Sequence, residues 1–502
     1  MTEAATQVGE RETAARNAFT LGTALAVTGS IALIVRVLVP RFLGPVAFGE
    51  YRLAEAAAEL WFVVLTFGVD AHLRREAALD PSRARGYLSG LAALRTAVGV
   101  AGIAATSAIL WAAGARATTV FLFALLATSQ VFVVLNNSYA AYEHAAGDVR
   151  WIARTNLATK VLWAGAVVGV LWTKPAGVTV ALVAVLIEGG RFAWLTARGV
   201  RRHDLALRPD VRFAGGAMLA SLPFFVNTVA HSLYARIGTG WLGAVSSDAE
   251  VGRFGAASGL ASIALLGMPL ISWVLVPSAA RAAARSAGEM TDLVASSLRV
   301  SLLVFVPVAL AFFVGAEFLL ALFFGPAYVP AAPVLRVLAP TFVLAYASTV
   351  CAIALIQRGR IRFVAGLSVA GVGVTVLLDA LLIPWGMATL GETGGAQGAA
   401  LATLGTEMVV TATLAWMSRD AWQDPSLRRT SLALGAGLVA AAGTLAFAPA
   451  DGSLPRGLAL VVFAALVLTA GGVDRGDLRF CGRLVKRSRP TGPPVPAAVE
   501  VS

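Results

Sequence analysis

The feature that most constrains this chain is a series of apolar runs, each long enough to cross a bilayer as a helix. Such a crossing takes about 20 residues. The runs can be marked at residues 17–40, 50–70, 87–112, 118–140, 151–173, 176–197, 214–240, 252–277, 292–316, 332–356, 361–385, 394–418, 429–449 and 455–473. Because the chain is also 58% hydrophobic and only 14% charged, it does not have the composition of a soluble domain. We therefore predict an all-α integral membrane protein of about fourteen transmembrane helices.

Basic residues are concentrated in alternate loops between these runs. Loops after the odd-numbered helices hold five Lys and Arg residues, whereas the other side of the membrane, with both termini, collects twenty-seven. The positive-inside rule then predicts that both termini of this multi-pass protein are cytoplasmic. The same distribution accounts for most of the net charge of +12, so the charge does not indicate a nucleic-acid partner.

A short pattern occurs twice and divides the chain into two related halves. The first copy, residues 41–51, contains Leu-Gly followed by Gly-x-aromatic, and the second copy, residues 241–254, contains the same elements in the same order. Each copy follows an apolar helix with one arginine near its end, Arg36 or Arg236. We predict that these two arginines approach one central cavity from opposite sides of an approximate two-fold axis.

Further charges fall inside the predicted spans, where a lone charge costs about 2.5–3.5 kcal/mol on insertion scales. The outer tier lies near the extracytoplasmic helix ends and consists of Arg36, Arg52 and Arg236. The inner tier lies about 10–14 Å from the cytoplasmic face, at about 1.5 Å per helical residue. Its members are Arg95, Lys160 and Arg299. We expect both tiers to line the cavity, with pairing to buried acids as the competing interpretation, and we expect Arg191 and Arg336 to snorkel to the interface.

Two acids share a helix face with an outer-tier arginine. Arg52, Glu55 and Glu59 are spaced i, i+3 and i+7, which places them along one side of the second predicted helix. Their arrangement is compatible with internal salt bridging and with ion coupling, in which Glu59, without an adjacent base, carries a proton or cation. The second copy has Ser258 and Ser262 at the corresponding positions, so coupling belongs to the first half.

The residues that metal sites and catalysis use are sparse. The two cysteines and four histidines are scattered, with no pair at ligand spacing. We expect no catalytic residues, no metal site and no cofactor.

Several motifs together carry a resemblance to a known family. They are Arg36 followed by Leu43-Gly44-Pro45, Phe48-Gly49 and Tyr51; Thr66-Phe67-Gly68 before Arg74-Arg75-Glu76; and Phe324-Gly325-Pro326-x-Tyr328 before Leu335-Arg336. In this order they resemble the polysaccharide flippases of the MOP superfamily, specifically the Wzx type, over residues 15–475. Many Wzx-type proteins have twelve spans, and fourteen is usual for the related lipid II flippases, which leaves the substrate open.

The resemblance implies two pseudo-symmetric six-helix lobes around a central cavity, plus two appended helices. The expected divisions are a cytoplasmic segment 1–16, lobes 17–200 and 213–418, helices 429–473 and a basic, Pro-rich cytoplasmic tail 474–502. The implied function is to flip an undecaprenyl-pyrophosphate-linked oligosaccharide across the bacterial cytoplasmic membrane by alternating access. The implied partners are this lipid-linked oligosaccharide, membrane lipids, and polysaccharide polymerase or export proteins.

Other functions are compatible with parts of this pattern. A drug or metabolite exporter of the same superfamily would need a mainly acidic cavity for organic cations, whereas the charges here are mainly basic. A membrane glycosyltransferase or polymerase would need a catalytic cluster on a substantial outer loop, and the predicted outer loops are short. A scaffold without transport activity is a third alternative.

Overall fold

The chain folds into apolar helices that cross the membrane many times. The structure is a computed structural model that describes residues 2–66, 73, 81–145, 149–203, 225, 229, 232–233, 236–447 and 453–470, none of which lies in a strand. Its α-helices are α1 (Thr2–Thr66), α2 (Pro81–Ala112), α3 (Ala117–Ala145), α4 (Val149–Thr173), α5 (Gly177–His203), α6 (Asp248–Ala264), α7 (Met268–Arg285), α8 (Ala287–Val314), α9 (Ala316–Phe324), α10 (Ala332–Gln357), α11 (Ile361–Thr389), α12 (Gly394–Met417), α13 (Pro425–Phe447) and α14 (Ser453–Thr469). Residues 236–245 are also helical. Within the described residues, ten helices are long and apolar enough to cross a membrane.

The first helix is two crossings joined at one residue. Its apolar part, Val27–Thr66, has 40 residues, which would extend about 60 Å, twice the thickness of a hydrocarbon core. It breaks at Gly44, where φ is 74° and ψ is 170°, a conformation that glycine adopts without steric cost. Pro45 follows, a residue suited to a first helical position. The first two predicted spans are therefore separated by a turn much tighter than the connection at residues 41–49 that the sequence indicates.

One other predicted span is broken in the structure. The span predicted at 252–277 is divided into α6 and α7 by a 3-10 turn, Leu265–Gly267. At this break the Tyr346 hydroxyl donates to the Ala264 carbonyl at 2.8 Å. The span predicted at 214–240 lies largely outside the described residues, and α14 is the described part of the span predicted at 455–473.

Polar side chains mark the start of several helices in the second half. Ser247 precedes α6 and accepts a hydrogen bond from the Glu250 amide, and Ser286 does the same for Glu289 at the start of α8. Both are the Ser-x-x-Glu pattern of a capping box. Such caps satisfy amides that have no partner within the helix.

The helices form two groups that meet through α1. In the first lobe, α1 packs on α3 and α4, and α3 also packs on α2 and α5. In the second lobe, α10 packs on α8 and α12, and α12 packs on α11. The pair α13–α14 attaches to the second lobe through α8. The largest buried apolar cluster crosses the contact between α1 and α6 and includes Phe48, Tyr51, Phe254 and Tyr328.

Candidate functional site

The two copies of the sequence repeat pack directly on each other where α1 meets α6. A Cβ added to Gly49 would lie 1.7 Å from the Asp248 carbonyl oxygen, and one added to Gly252 would lie 1.9 Å from the Pro45 carbonyl oxygen. Aligning the two Gly-x-aromatic elements makes Asp248 the counterpart of Pro45, so the two contacts are one contact repeated by a local two-fold axis. Only glycine fits at either position.

Polar contacts surround this crossing at the end of the bundle that carries Gly44, which we call the Gly44 end. The Tyr328 hydroxyl donates to the Pro40 carbonyl at 2.9 Å, and Arg41 Nη1 donates to the Leu322 carbonyl at 2.8 Å. Arg116 pairs with Asp248 across the two lobes. The Tyr328 motif singled out in the sequence therefore docks on the first repeat copy, and the lobes are held together at the Gly44 end.

A charged cavity lies beside this crossing. It has a volume of about 230 Å³, and its polar lining comes from Arg36, Arg52, Glu55 and Glu59, all on α1. Gly255 of α6 makes room for the Arg52 side chain, because a Cβ there would lie 2.8 Å from Arg52 Cγ. The second copy supplies space at this point, and the first copy supplies charge.

Ion pairs within α1 and one pair between the halves lie at the cavity. Arg52 Nη1 lies 2.5 Å from Glu55 Oε2 and 4.0 Å from Glu59 Oε2. Arg236, in the helix before the second copy, donates from Nε to Glu59 Oε2 at 2.7 Å and so links the two halves. The expectation that Glu59 lacks an adjacent base is therefore wrong. Spacing along one helix cannot reveal Arg236, which lies 177 residues further along the chain.

Arg36 differs from the other outer-tier arginines. Its guanidinium interacts electrostatically with Arg52, Arg236 and both glutamates, yet it forms no hydrogen bond or ion pair within the part of the chain that the structure describes. It is exposed at the wall of the cavity. The structure thus brings the outer tier together, with Arg36 from the first half and Arg236 from the second.

The inner tier does not come together. Arg95 is only 3% exposed, and its Nε and Nη2 donate to the carbonyls of Leu65 and Thr66 at 2.8 and 2.6 Å. It therefore ties α2 to the backbone of α1. Arg299 donates to Thr430 Oγ1 at 3.0 Å, on the side of α8 that faces α13.

Lys160 remains near the cavity. Its ammonium lies 5.1 Å from the ring centroid of Trp163, a cation–π distance, and Trp163 lines the cavity. Of the three inner-tier residues, Lys160 is the one that contacts a residue lining the cavity.

The structure also corrects the interpretation of Arg191 as a snorkelling residue. Arg191 has 10% of its side chain exposed and is held by Asn156 and by Glu188, 3.6 Å away. Arg336 bonds to Glu317 at 2.8 Å, and the two side chains are 30% and 37% exposed. Snorkelling of Arg336 therefore stays a prediction.

One buried acid was not included in the predicted site. Asp379 of α11 is 1% exposed, and neither carboxylate oxygen has a hydrogen-bond partner in the described residues. It faces the backbone of Gly238, whose added Cβ would lie 3.4 Å from either oxygen. The sequence signal was a lone aspartate inside an apolar run, which marks an intramembrane functional candidate by itself.

Comparison with known proteins agrees with this architecture. The family described as polysaccharide biosynthesis protein matches residues 14–283, whereas no curated protein matches the chain. The lipid II flippase MurJ in an inward closed conformation superposes with a TM-score of 0.67 at 12% identity, over 93% of this chain and 99% of that one.

More distant solved structures share the same fold. An inward-facing multidrug resistance MATE family transporter of the MOP superfamily has a TM-score of 0.57 at 14% identity, over 78% of this chain and 99% of that one. A MOP superfamily transporter from Pyrococcus furiosus has a TM-score of 0.55 at 14% identity, over 82% and 97%. At these identities the likeness establishes the all-α membrane fold of the superfamily.

Proposed function

Because this chain belongs to the polysaccharide biosynthesis protein family, we propose that it is a flippase for a lipid-linked oligosaccharide of the undecaprenyl-pyrophosphate type. Its site is the cavity between the lobes, and its partners are that substrate and the surrounding lipids. Polysaccharide polymerase or export proteins would receive the product. The distribution of basic loops supports a bacterial cytoplasmic membrane with both termini in the cytoplasm.

The observation that carries this proposal is the cation set at the cavity. Arg36, Arg52 and Arg236 face two glutamates, and Arg36 has no bonded partner among the described residues. A pyrophosphate must cross hydrocarbon as an anion, and guanidinium groups bind phosphate oxygens through directed, charge-assisted hydrogen bonds. A cavity with an excess of arginine suits this headgroup better than it suits an organic cation.

Alternating access follows from where the lobes touch. The Gly44 end, which the charge distribution assigns to the outside, is joined by the Gly49–Gly252 crossing and by Arg116–Asp248. This arrangement supports a conformation in which the cavity is closed to the outside. Release would require these contacts to part while the lobes close on the cytoplasmic side.

Lys160 fits this path as a first contact for the headgroup. It lies earlier on α4 than Trp163, on the predicted cytoplasmic side of the cavity. Arg95 and Arg299 are engaged with Leu65, Thr66 and Thr430, so we assign them to holding helices together instead of to the substrate.

Ion coupling is proposed to work by exchange of partners. Glu55 and Glu59 are neutralised by Arg52 and Arg236. When a pyrophosphate takes these guanidinium groups, the two carboxylates lose their counter-ions and favour uptake of a proton or cation. Asp379 is a second candidate for this role, because it is buried without a partner in the described residues. No catalytic step is needed, and we propose a transporter and not an enzyme.

The test is depletion of the protein in its native cell followed by mass analysis of the membrane lipids. A flippase predicts that a pyrophosphate-linked oligosaccharide accumulates on the cytoplasmic leaflet, and its mass identifies the sugars. Complementation with Arg360→Gln, an exposed arginine away from the cavity, should clear the intermediate. If no such lipid accumulates and cells instead become sensitive to organic cations, the protein is an exporter.

A further inference from the structure

A second concave site lies on the outer surface of the first lobe, between α4 and α5. This α4–α5 groove has a volume of about 580 Å³. Its apolar walls face outward, since Leu162 is 63% exposed, Leu186 70% and Trp194 52%. In a membrane-spanning lobe, exposed apolar side chains on two spanning helices face lipid.

The groove changes from basic and aromatic to apolar along its length. At one end Trp151 and Trp194 lie with ring centroids 5.2 Å apart, next to Arg154. At the other end Leu162 and Leu186 form the wall. The eight residues from Arg154 to Leu162 rise about 12 Å. Tryptophan and arginine at one level followed by leucine at the next is the order expected for headgroups and acyl chains.

The basic end has more positive charge than its own acid neutralises. Arg154 is exposed and forms no hydrogen bond or ion pair with the described residues. Arg191 also lines the groove; Glu188 and Asn156 hold its terminal nitrogens, and its buried Nε has no hydrogen-bond partner among the described residues. The guanidinium of Arg198 lies 3.8 Å from the ring centroid of Trp151. Glu188 pairs with Arg191 and leaves the charge of Arg154 at this end.

We propose that the α4–α5 groove binds an anionic glycerophospholipid of the bilayer, with its phosphate at Arg154 and Arg191 and an acyl chain along Leu162 and Leu186. The charge selects an anionic headgroup, because the phosphate of a zwitterionic one would bring a second cation to an end of the groove that is already basic. The groove is separate from the charged cavity, to which α4 contributes Trp163. The bound lipid is therefore a fixed component of the first lobe and not the transported substrate.

Native mass spectrometry of the purified full-length protein tests this proposal. Phosphatidylglycerol should bind at least about ten-fold more tightly than phosphatidylcholine. Arg154→Gln should lower the affinity for phosphatidylglycerol by about ten-fold, as expected for the loss of a charge-assisted hydrogen bond. Arg201→Gln is the matched control: it removes an equal charge from an exposed arginine later on α5 that does not line the groove. Its affinity should equal that of the unaltered chain.

A second variant separates shape from charge. Ala158 lines the groove and is exposed. Ala158→Phe therefore fills the groove without changing its charge or disturbing the packed interior, and it should also lower the affinity for phosphatidylglycerol. Equal binding of the two phospholipids, or equal losses in Arg154→Gln and Arg201→Gln, would overturn the proposal. Tighter binding of a polyprenyl pyrophosphate that Arg154→Gln abolishes would reassign the groove to the transported lipid.

Discussion

The two copies of the repeat share a backbone contact and differ in charge. Gly49 and Gly252 make the same close approach in both directions. One turn further along, the first copy has Arg52, Glu55 and Glu59, whereas the second has Gly255, Ser258 and Ser262. The two serines bond within their own helix, to the carbonyls of Gly255 and Gly259 at 3.2 and 2.7 Å.

This difference separates two requirements that a transporter must meet. The paired glycines let the two lobes pack closely, and this packing is the same from both sides. The charges serve substrate binding and ion coupling. A headgroup needs these charges on one wall of the cavity and free space at the other. Ser258 and Ser262 keep their hydrogen bonds within their own helix when no substrate is bound. The charges of α1, by contrast, need Arg236 from the other half as a partner when the cavity is empty.

The largest effect is expected from breaking what the copies share. Gly49→Ala puts a methyl group 1.7 Å from the Asp248 carbonyl, a backbone atom that cannot rotate away. We expect α1 and α6 to separate, with a loss of about 3 kcal/mol or more in the free energy of unfolding. Gly259→Ala on α6 is the control, since its added Cβ meets nothing within 4 Å. Equal thermal stability of the two variants would show that this crossing does not join the lobes.

The next largest effect is expected from removing Arg36, the cavity arginine that has no hydrogen-bond or ion-pair partner among the described residues. Arg36→Ala should reduce transport by about ten- to hundred-fold, the range for losing one charge-assisted hydrogen bond, while protein levels stay unchanged. Arg36→Lys should be intermediate, because an ammonium lacks the planar pair of donors. The assay is clearance of the lipid-linked intermediate at matched expression. Full activity in Arg36→Ala would mean that the anion is held elsewhere.

A smaller effect concerns the bond that links the charged copy to the other half. A double-mutant cycle with Glu59→Gln and Arg236→Gln should give a coupling of about 1–2 kcal/mol in the free energy of unfolding, as for partly buried neighbours. The same cycle on Arg285 and Glu289, 3.4 Å apart and largely exposed, should give nearly zero. A coupling no larger than in this surface pair would leave Glu59–Arg236 without a role in joining the lobes.

These comparisons also show what the sequence could predict. Length, hydropathy and alternating charge were sufficient for an all-α membrane fold. The repeat predicted that Arg36 and Arg236 approach one cavity from the two halves; Arg36 lines the charged cavity, and Arg236 bonds to Glu59 beside it. The inner tier was misplaced because depth along a helix gives an axial position and not the direction a side chain faces. Around Arg95 the helix is apolar on every side, so no periodicity indicates that the guanidinium turns to the backbone of α1.

Distant partners were also beyond local patterns. The break between α6 and α7 is marked in the sequence by Gly267 and by Pro269 in the first turn of α7, but Tyr346, whose hydroxyl bonds to the Ala264 carbonyl there, lies far along the chain. Arg236 reaches Glu59 for the same reason: the contact exists only after two spans fold together. Asp379 was visible as a charge in a span but not as one without a partner.

The smallest effect is expected at Glu317, an acid of the second half that pairs with arginines as Glu59 does but lies outside the cavity. Glu317 accepts hydrogen bonds from Arg336 and Arg456 at 2.8 and 2.9 Å. Partial burial would raise the pKa of Glu317, but the two arginines outweigh it and hold the pKa below its usual 4.5. Since the folded-state pKa is lowered, the stabilisation is present above about pH 4.5 and is lost as the pH falls through the folded-state value.

Glu317→Gln should therefore lower the free energy of unfolding by no more than about 1 kcal/mol at neutral pH, because the group is 37% exposed and screened by water. As the pH falls through the lowered folded-state pKa of Glu317, the variant and the unaltered chain should converge. Transport should not change, since Glu317 does not line the cavity. Thermal unfolding followed from neutral to acid pH and the clearance assay measure these outcomes. A transport defect as large as that of Arg36→Ala would mean that the link from Glu317 to α14 through Arg456 takes part in the transport cycle, and that charge at the cavity is not what separates the two halves.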